Sequence, residues 1–234
     1  MTIAETESWG TYMQTSIIDS KTVSVFPSFE PETPIIYLNT FSDEGQKVYE
    51  AAQAAGCPPF TLVAISDLDW NHDMVPWNSP PAFKNAEPCT GGADDYLRLL
   101  TEEIIPTAEK ESNGVPRWRG IAGYSLAGLF ALYAIYQTDL FSRVGSMSGS
   151  LWFHGMKEYI FSQEAKRLPD CMYFSLGDKE SKTRNSVLQS VRQNTEELQP
   201  FYQGKGINRV FQLNPGNHYN HAVERTVGTF ILIS

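Results

Sequence analysis

A serine inside a turn of small residues is the feature of this sequence that most suggests chemistry. Residues 123–128 read Gly-Tyr-Ser-Leu-Ala-Gly, after a short strand pattern and before a strongly apolar helix pattern. Such a sharp turn exposes the serine hydroxyl, and small residues at Gly123 and Ala127 let strand and helix pass closely. Glycine is usual at the second of these positions, so Ala127 is a mild departure. The pattern predicts that Ser125 is a nucleophile, although an ordinary strand–helix turn could have the same sequence.

The helix after this turn is expected to stabilise negative charge. Ser125 would lie at its N-terminus, where free N–H groups and the helix dipole favour a developing anion. We predict that the N–H of Leu126 is one oxyanion donor. The second donor should come from the loop after the strand ending at Leu38, and we expect the N–H of Phe41, with Thr40 as the neighbouring alternative. Losing such a donor typically lowers turnover about 10²–10³-fold.

A serine nucleophile needs a base, and the chain contains four histidines. In hydrolases with this turn the order along the chain is serine, acid, histidine, and the histidine follows the last strand. His218 fits this order, because the sequence Asn-Pro-Gly-Asn-His at 214–218 follows a predicted strand at 209–213. His221 is the competitor, but we expect it to begin the final helix, where it is less able to reach back. The sequence therefore predicts His218 as the base.

Two carboxylates follow the predicted strand at 172–176, namely Asp178 and Glu180. Either could hold the imidazole in the required tautomer and stabilise the imidazolium. Their spacing does not decide between them, and both could instead be solvated loop charges, as most acidic residues are.

The elements that must position these side chains alternate along the chain. Two neighbouring strand patterns, at 12–18 and 22–26, predict an antiparallel hairpin. We then predict strands at 34–38, 60–65, 121–123, 144–147, 172–176 and 209–213, and helices at 44–55, 93–110, 126–136, 184–202 and 221–231; residues 230–233 would also suit a strand. Alternating strands and helices imply a mostly parallel sheet with helices on both faces. Without a repeat or a linker, residues 1–234 are expected to form one domain.

These residues resemble a known group of hydrolases. The nine residues Gly-Tyr-Ser-Leu-Ala-Gly-Leu-Phe-Ala from Gly123, and Ser-Met-Ser-Gly-Ser-Leu-Trp at 146–152, are similar to segments of one esterase branch of the α/β-hydrolase superfamily. That branch includes esterase D, enterochelin-type siderophore esterases, feruloyl and acetyl-xylan esterases, and the mycolyltransferases. The resemblance runs from about Pro34 to the C-terminus. It implies the α/β-hydrolase fold and a serine that cleaves esters.

The resemblance also bears on the acid and on the oxyanion loop. In several members of the branch the acid lies three positions after the glycine that ends its strand, which corresponds here to Glu180 and favours it over Asp178. Members often begin the oxyanion loop with His-Gly, whereas the matching residues here are Asn39 and Thr40. This departure concerns the second oxyanion donor and leaves the expected fold unchanged.

A proline- and tryptophan-rich segment at 66–92 predicts a long loop, and long ordered loops often carry function. Its part at 68–74 resembles a feature of a bacterial subgroup of uncharacterised hydrolases. We expect Trp70 and His72 to bind substrate as one wall of the pocket, with Trp152 as a further lining residue. The tryptophans could instead only pin the loop to the body. Because the connection at 149–171 is too short for a large lid domain, we expect an open cleft for small or bulky soluble esters.

Composition excludes several other classes of function. The 234 residues, 41% of them hydrophobic, suffice for one core. A net charge of −9 repels phosphate backbones and anionic lipids, so neither nucleic acid nor a membrane is an expected partner. Three cysteines without a CxxC pair argue against a zinc site or a disulfide framework. No signal-peptide pattern is visible, so we expect a cytoplasmic location. Oligomeric state is not readable from the sequence.

The sequence thus predicts a cofactor-free serine esterase in which Ser125 attacks, His218 is the base and Glu180 orients it. Three alternatives stay open. The same residues could serve an acyltransferase or thioesterase, because the difference is only which nucleophile reaches the acyl-enzyme. The fold could belong to a non-catalytic binding protein. A metal-dependent hydrolase is a weaker idea, based on the His-x-x-His spacing at 218–221. Its ligands would be His72, Asp73, His218 and His221.

Overall fold

An eight-stranded sheet forms the centre of the computed structural model, which describes residues 13–83 and 85–233. Its strands are β1 (Gln14–Ile18), β2 (Lys21–Phe26), β3 (Ile35–Asn39), β4 (Thr61–Ser66), β7 (Arg119–Tyr124), β8 (Arg143–Met147), β9 (Cys171–Gly177) and β10 (Asn208–Asn214). The strand order is β1-β2-β4-β3-β7-β8-β9-β10. β2 pairs antiparallel with both β1 and β4, and all other neighbours in this sheet are parallel. This arrangement confirms the predicted hairpin and mostly parallel sheet; Tyr12, at the start of the first predicted strand, lies outside the described residues.

Helices cover both faces of the sheet, as predicted. They are α1 (Gly45–Ala54), α2 (Trp70–Asp73), α3 (Ala93–Leu99), α4 (Ile105–Ala108), α5 (Leu126–Gln137), α6 (Met156–Ser162), α7 (Ser186–Gln189), α8 (Val191–Gly204) and α9 (Ala222–Ile233). The buried side chains of β3 alternate between two hydrophobic clusters: Ile35 and Tyr37 join the one with α5 and α8, while Ile36 and Leu38 join the one with α1 and α9. Strands buried on both faces read as continuous apolar runs, which is why this strand was readable from sequence.

Two predicted helices are interrupted. A π-helical segment, Leu100–Ile104, joins α3 to α4, and a 3-10 turn, Glu109–Glu111, follows. Pro106 lies at the start of α4 and cannot donate a backbone hydrogen bond, which explains why a regular helix does not run through this point. The helix predicted at 184–202 begins two residues later and divides at Ser190 into α7 and α8. The last segment is helix α9, so its strand alternative was wrong.

The segment predicted as a loop at 66–92 contains regular structure. It holds α2 and a two-stranded sheet of β5 (Asn78–Ser79) and β6 (Cys89–Thr90). Asp73 is buried and accepts from Lys21 Nζ at 2.6 Å and from the Asp69 N–H at 2.8 Å, so a buried ion pair fastens α2 to β2.

The connection at 149–171 contains α6 and, within the described residues, no large lid domain, as predicted. No helix in the ranges 13–83 and 85–233 has the combination of length and apolarity needed to cross a membrane.

Candidate active site

The turn between β7 and α5 holds Ser125 in a strained conformation. Its φ is 59° and its ψ is −122°, a region that non-glycine residues adopt only when the surroundings enforce it. A Cβ added to Gly123 would lie 2.5 Å from both the backbone and the side chain of Ala127. Position 123 therefore has to be glycine. Because Gly123 has no side chain, there is room for alanine at position 127, where related turns have glycine.

The end of β8 and the loop that follows it fix the backbone of Ser125. Its N–H donates to the Met147 carbonyl at 3.0 Å, and its own carbonyl accepts from the Ser150 N–H at 3.0 Å. Ser125 Oγ lies 3.3 Å from Ser150 Oγ. Among the described residues no hydrogen bond joins Ser125 to His218, although both line the same cavity. The hydroxyl thus faces a second serine in this state of the molecule.

His218 and Glu180 form a hydrogen-bonded pair. His218 Nδ1 lies 2.9 Å from Glu180 Oε2, and the carboxylate side chain is only 4% exposed. The other candidates make different contacts. Asp178 Oδ1 accepts from the Gly216 N–H at 2.8 Å and so joins the loop after β9 to the loop after β10. His221 immediately precedes α9, is largely exposed, and lies 3.7 Å from Glu224.

The second oxygen of Glu180 has three donors. Oε1 accepts from the Ser148 hydroxyl at 2.6 Å, from the Gly177 N–H at 2.6 Å and from Arg225 Nη1 at 3.0 Å. Burial alone would raise the pKa of Glu180, but the hydrogen bonds from His218 and Ser148 outweigh it, and the pKa lies below its ordinary value. The carboxylate is therefore ionised at neutral pH.

Sequence reasoning did not find Arg225, nor did it give a role to Tyr124 or Ser148. Tyr124 donates from its hydroxyl to the His218 carbonyl at 2.6 Å. Arg225 is buried in α9 beside both residues. The available signal was an arginine at the start of the otherwise uncharged, mainly apolar segment 225–233, because a buried cation there must find a partner.

The expected oxyanion side lies at the end of β3. The Thr40 N–H donates to the Ile65 carbonyl at 2.9 Å, which leaves the next amide, that of Phe41, as the candidate of the two. The Asn39 side chain is buried; its Oδ1 accepts from the Tyr96 hydroxyl, and its Nδ2 has no partner among the described residues. Leu126 is the first residue of α5, where N–H groups have no acceptor within the helix.

A cavity of about 620 Å³ brings most of these residues together. Its lining includes Ser125, His218, Glu180, Leu126 and Phe41. Much of the remaining lining is apolar or aromatic and includes Trp70, Phe83, Cys89, Trp152, Leu188 and Tyr219.

His72 is the exception among the predicted substrate-binding residues, because it is not part of the cavity lining. Its Nδ1 lies 2.8 Å from Thr90 Oγ1, and its ring packs so closely over Gly92 that a Cβ there would lie 2.2 Å from Nε2. The ring therefore stabilises the 66–92 segment. Trp77 has a similar position: it donates to the His154 carbonyl at 2.9 Å and packs against Phe153.

The four residues considered as metal ligands make separate contacts. Asp73 pairs with Lys21, His72 with Thr90, and His218 with Glu180. Within the described ranges no three His, Cys, Asp or Glu side chains gather in a group that could hold a metal ion. The metal-dependent alternative thus has no ligand cluster there.

Comparison with known proteins agrees with this architecture. The family model described as "Putative esterase" matches residues 38–224. The "Uncharacterized protein YbbA" of Bacillus subtilis is 25% identical over 191 residues, which cover 77% of this chain and 76% of that protein.

Solved structures with a similar fold include two hydrolases. An IroE-like serine hydrolase from Shewanella oneidensis has a TM-score of 0.76 at 16% identity, covering 94% of this chain and 79% of that one. The siderophore hydrolase EstA from Aspergillus nidulans has a TM-score of 0.71 at 16% identity, covering 94% and 92%. Because the family model spans most of the residues, this chain belongs to the "Putative esterase" family, has the α/β-hydrolase fold and is a carboxylic ester hydrolase.

Proposed function

We propose that this protein cleaves carboxylic esters through a covalent acyl-enzyme on Ser125. The observation that carries the proposal is the 2.9 Å contact between His218 Nδ1 and Glu180 Oε2, in the cavity that also contains the strained Ser125. An imidazole held through Nδ1 presents Nε2 as a base, which is what a serine nucleophile needs.

The proposed reaction has two halves. Ser125 Oγ attacks the ester carbon while His218 Nε2 takes the hydroxyl proton, and the imidazolium then returns this proton to the leaving alkoxide. Water attacks the acyl-enzyme with the same base, which releases the acid and restores the serine. Glu180 remains ionised throughout and stabilises the imidazolium, and the N–H groups of Leu126 and Phe41 receive the oxyanion.

The mechanism requires Ser125 and His218 to come into hydrogen-bond contact. Ser125 Oγ lies 3.3 Å from Ser150 Oγ in this structure, so this contact has to form before the attack. Hydrogen bonds to a catalytic serine are often long in unliganded enzymes and tighten when substrate binds.

The size of the cavity supports water-soluble esters with a bulky acyl or alcohol group as the substrate class. Its volume of about 620 Å³ lies in the usual range for small-molecule sites. We expect faster hydrolysis of p-nitrophenyl acetate and of soluble aromatic esters than of emulsified long-chain triglyceride. A preference for the emulsion would contradict this substrate class while leaving the nucleophile untouched.

Labelling with a fluorophosphonate probe tests the nucleophile. We expect the label on the peptide that contains Ser125 and none on the Ser125→Ala variant, which should also lose ester hydrolysis. Ser150→Ala is the matched control, because it removes the neighbouring hydroxyl and should keep most of the labelling. A label on another residue, or full activity in Ser125→Ala, would refute the mechanism.

Product analysis separates hydrolysis from acyl transfer. With a soluble ester and a tenfold range of added alcohol acceptor, a hydrolase forms mainly free acid at every acceptor concentration. If the new ester dominates at low acceptor concentration, acyl transfer is the main activity of the same site.

A further inference from the structure

Arg225 connects four separate segments around the acid. It lies in α9 and is 3% exposed. Its Nη1 lies 2.9 Å from the Tyr124 hydroxyl, 2.8 Å from Ser148 Oγ and 3.0 Å from Glu180 Oε1, and its Nη2 donates to the Asn217 carbonyl at 3.1 Å. These partners follow or end β7, β8, β9 and β10. One guanidinium therefore contacts the segments that carry the serine, the acid and the histidine.

The first consequence concerns the orientation of Glu180. A carboxylate has two equivalent oxygens and can exchange them by rotation. Here Oε1 is occupied by Arg225, Ser148 and the Gly177 N–H, so Oε2 is left for His218. The approach of the guanidinium also depends on Gly177, where a Cβ would lie 3.0 Å from Arg225 Nη2 and 2.5 Å from the Gly216 carbonyl oxygen.

The second consequence concerns charge. A buried carboxylate without a counter-charge tends to take up a proton, and a protonated Glu180 would not stabilise an imidazolium. Arg225 supplies a permanent positive charge on the side of the carboxylate away from His218.

The third consequence concerns the loop that carries the histidine. Arg225 Nη2 holds the Asn217 carbonyl, and Tyr124, itself 2.9 Å from Arg225 Nη1, holds the His218 carbonyl. The carbonyl groups on both sides of the His218 Cα are thus tied to the group that also holds the acid.

We propose that Arg225 is a positioning residue of the active site: it keeps Glu180 charged, directs one carboxylate oxygen to His218, and fastens the histidine loop. The role in turnover rests on the proposed function, whereas the effect on Glu180 does not. Arg225 acts through Glu180 and His218 and does not contact the substrate in this proposal.

Carbon-13 NMR of the Glu180 carboxyl tests the charge effect without any activity. The Glu180→Gln variant identifies the signal. In Arg225→Met the Glu180 titration midpoint should rise by about one to three pH units, the usual effect of a close opposite charge. Arg119→Met is the matched control, because Arg119 also pairs with a carboxylate, Glu109, but lies at the start of β7, the opposite end of that strand from Tyr124 and Ser125; it should leave the Glu180 titration unchanged. An unchanged midpoint in folded Arg225→Met would overturn the proposal.

Kinetics test the positioning effect. Removal of a positive charge favours the protonated form of the Glu180–His218 pair, so the acidic limb of kcat/KM should move to higher pH in Arg225→Met. Above that limb kcat should fall about 10²-fold, as for small displacements of catalytic groups, with KM nearly unchanged. Arg225→Lys keeps the positive charge but lacks the several N–H donors of the guanidinium group. The acidic limb of kcat/KM should therefore stay at the pH of the unmodified protein, while kcat is only partly restored.

Arg225→Lys also covers the case in which the methionine variant does not fold. A folded lysine variant with the kcat of the unmodified protein would refute the positioning role. If Ser125→Ala retains ester hydrolysis, the mechanism fails, and the NMR titration still decides whether Arg225 keeps Glu180 ionised.

Discussion

The two sides of the cleft differ in what holds their side chains. On the acid side, Glu180 has four hydrogen-bond donors and Arg225 is buried among polar partners. Elsewhere in the lining, on what we call the aromatic side, Phe41 is 69% exposed and packs edge-on against Trp70, with ring centroids 5.1 Å apart. Directional hydrogen bonds fix a geometry, whereas exposed rings can shift at little cost. We infer that the acid side sets the chemistry, and that the aromatic side adapts to the substrate.

Replacing a carboxylate on the acid side by an amide should give the largest loss of kcat. Glu180→Gln should lower kcat about 10³–10⁴-fold, because the amide cannot hold the imidazole in the correct tautomer or stabilise its charge. Asp178→Asn is the matched control and should cost far less, since Asp178 accepts from a loop amide and not from His218. Steady-state kinetics at pH 8 check both variants. Equal losses would mean that the His218–Glu180 contact does not operate in turnover.

A backbone change at Phe41 tests whether the aromatic side also contributes to the chemistry. Phe41→Pro removes the N–H proposed as the second oxyanion donor and should lower kcat about 10²–10³-fold. Phe41→Ala keeps that N–H and removes only the ring, so kcat should be nearly unchanged. If Phe41→Pro and Phe41→Ala have the same kcat, the second oxyanion donor lies elsewhere.

Substitutions of the two tryptophans in the 66–92 segment should have different effects, one on substrate binding and the other on the stability of the fold. Trp70→Ala removes cavity lining and should raise KM for an aromatic ester roughly 3–10-fold at unchanged kcat, about the energy of an aromatic contact. Trp77→Ala removes the contacts with His154 and Phe153, so it should lower Tm and change KM little. The reverse pattern would make Trp77 the substrate contact.

The smallest effect should appear in the pH dependence of stability. The folded-state pKa of Glu180 is lowered, so its charge stabilises the fold above the unfolded pKa of about 4.3. This contribution disappears as the pH falls through the lower, folded-state pKa. The stability advantage of the unmodified protein over Glu180→Gln should therefore shrink between pH 6 and pH 3 in urea titrations. A constant difference would show that ionisation of Glu180 does not contribute.

The features that could be predicted from the sequence are those that depend on residues close together in the chain. The turn around Ser125 combines a strand, small residues and an apolar helix within a dozen positions, and the fold followed from the alternation of strands and helices. The choice of Glu180 needed a family resemblance, because two carboxylates lie within three positions of each other.

The features that were missed depend on contacts between distant segments. Three of the residues that Arg225 contacts, Tyr124, Ser148 and Glu180, lie 45 to 101 positions earlier in the chain, and only the strand order brings them together. β5 and β6 have two residues each, too few for a periodic pattern. The orientation of His72 follows from its packing against Gly92 and Thr90, which its own neighbours in sequence do not reveal.

Cys89 lines the same cavity as Ser125, so two side chains that can form acyl bonds lie near one bound substrate. Partial burial raises the pKa of the Cys89 thiol, which keeps it protonated and weakly nucleophilic at neutral pH. The nucleophile that we propose for this cavity is therefore the serine and not the thiol. A higher pH increases the thiolate fraction of Cys89, and a thiol-reactive dye attached there would report occupancy of the cavity while Ser125 stays chemically intact.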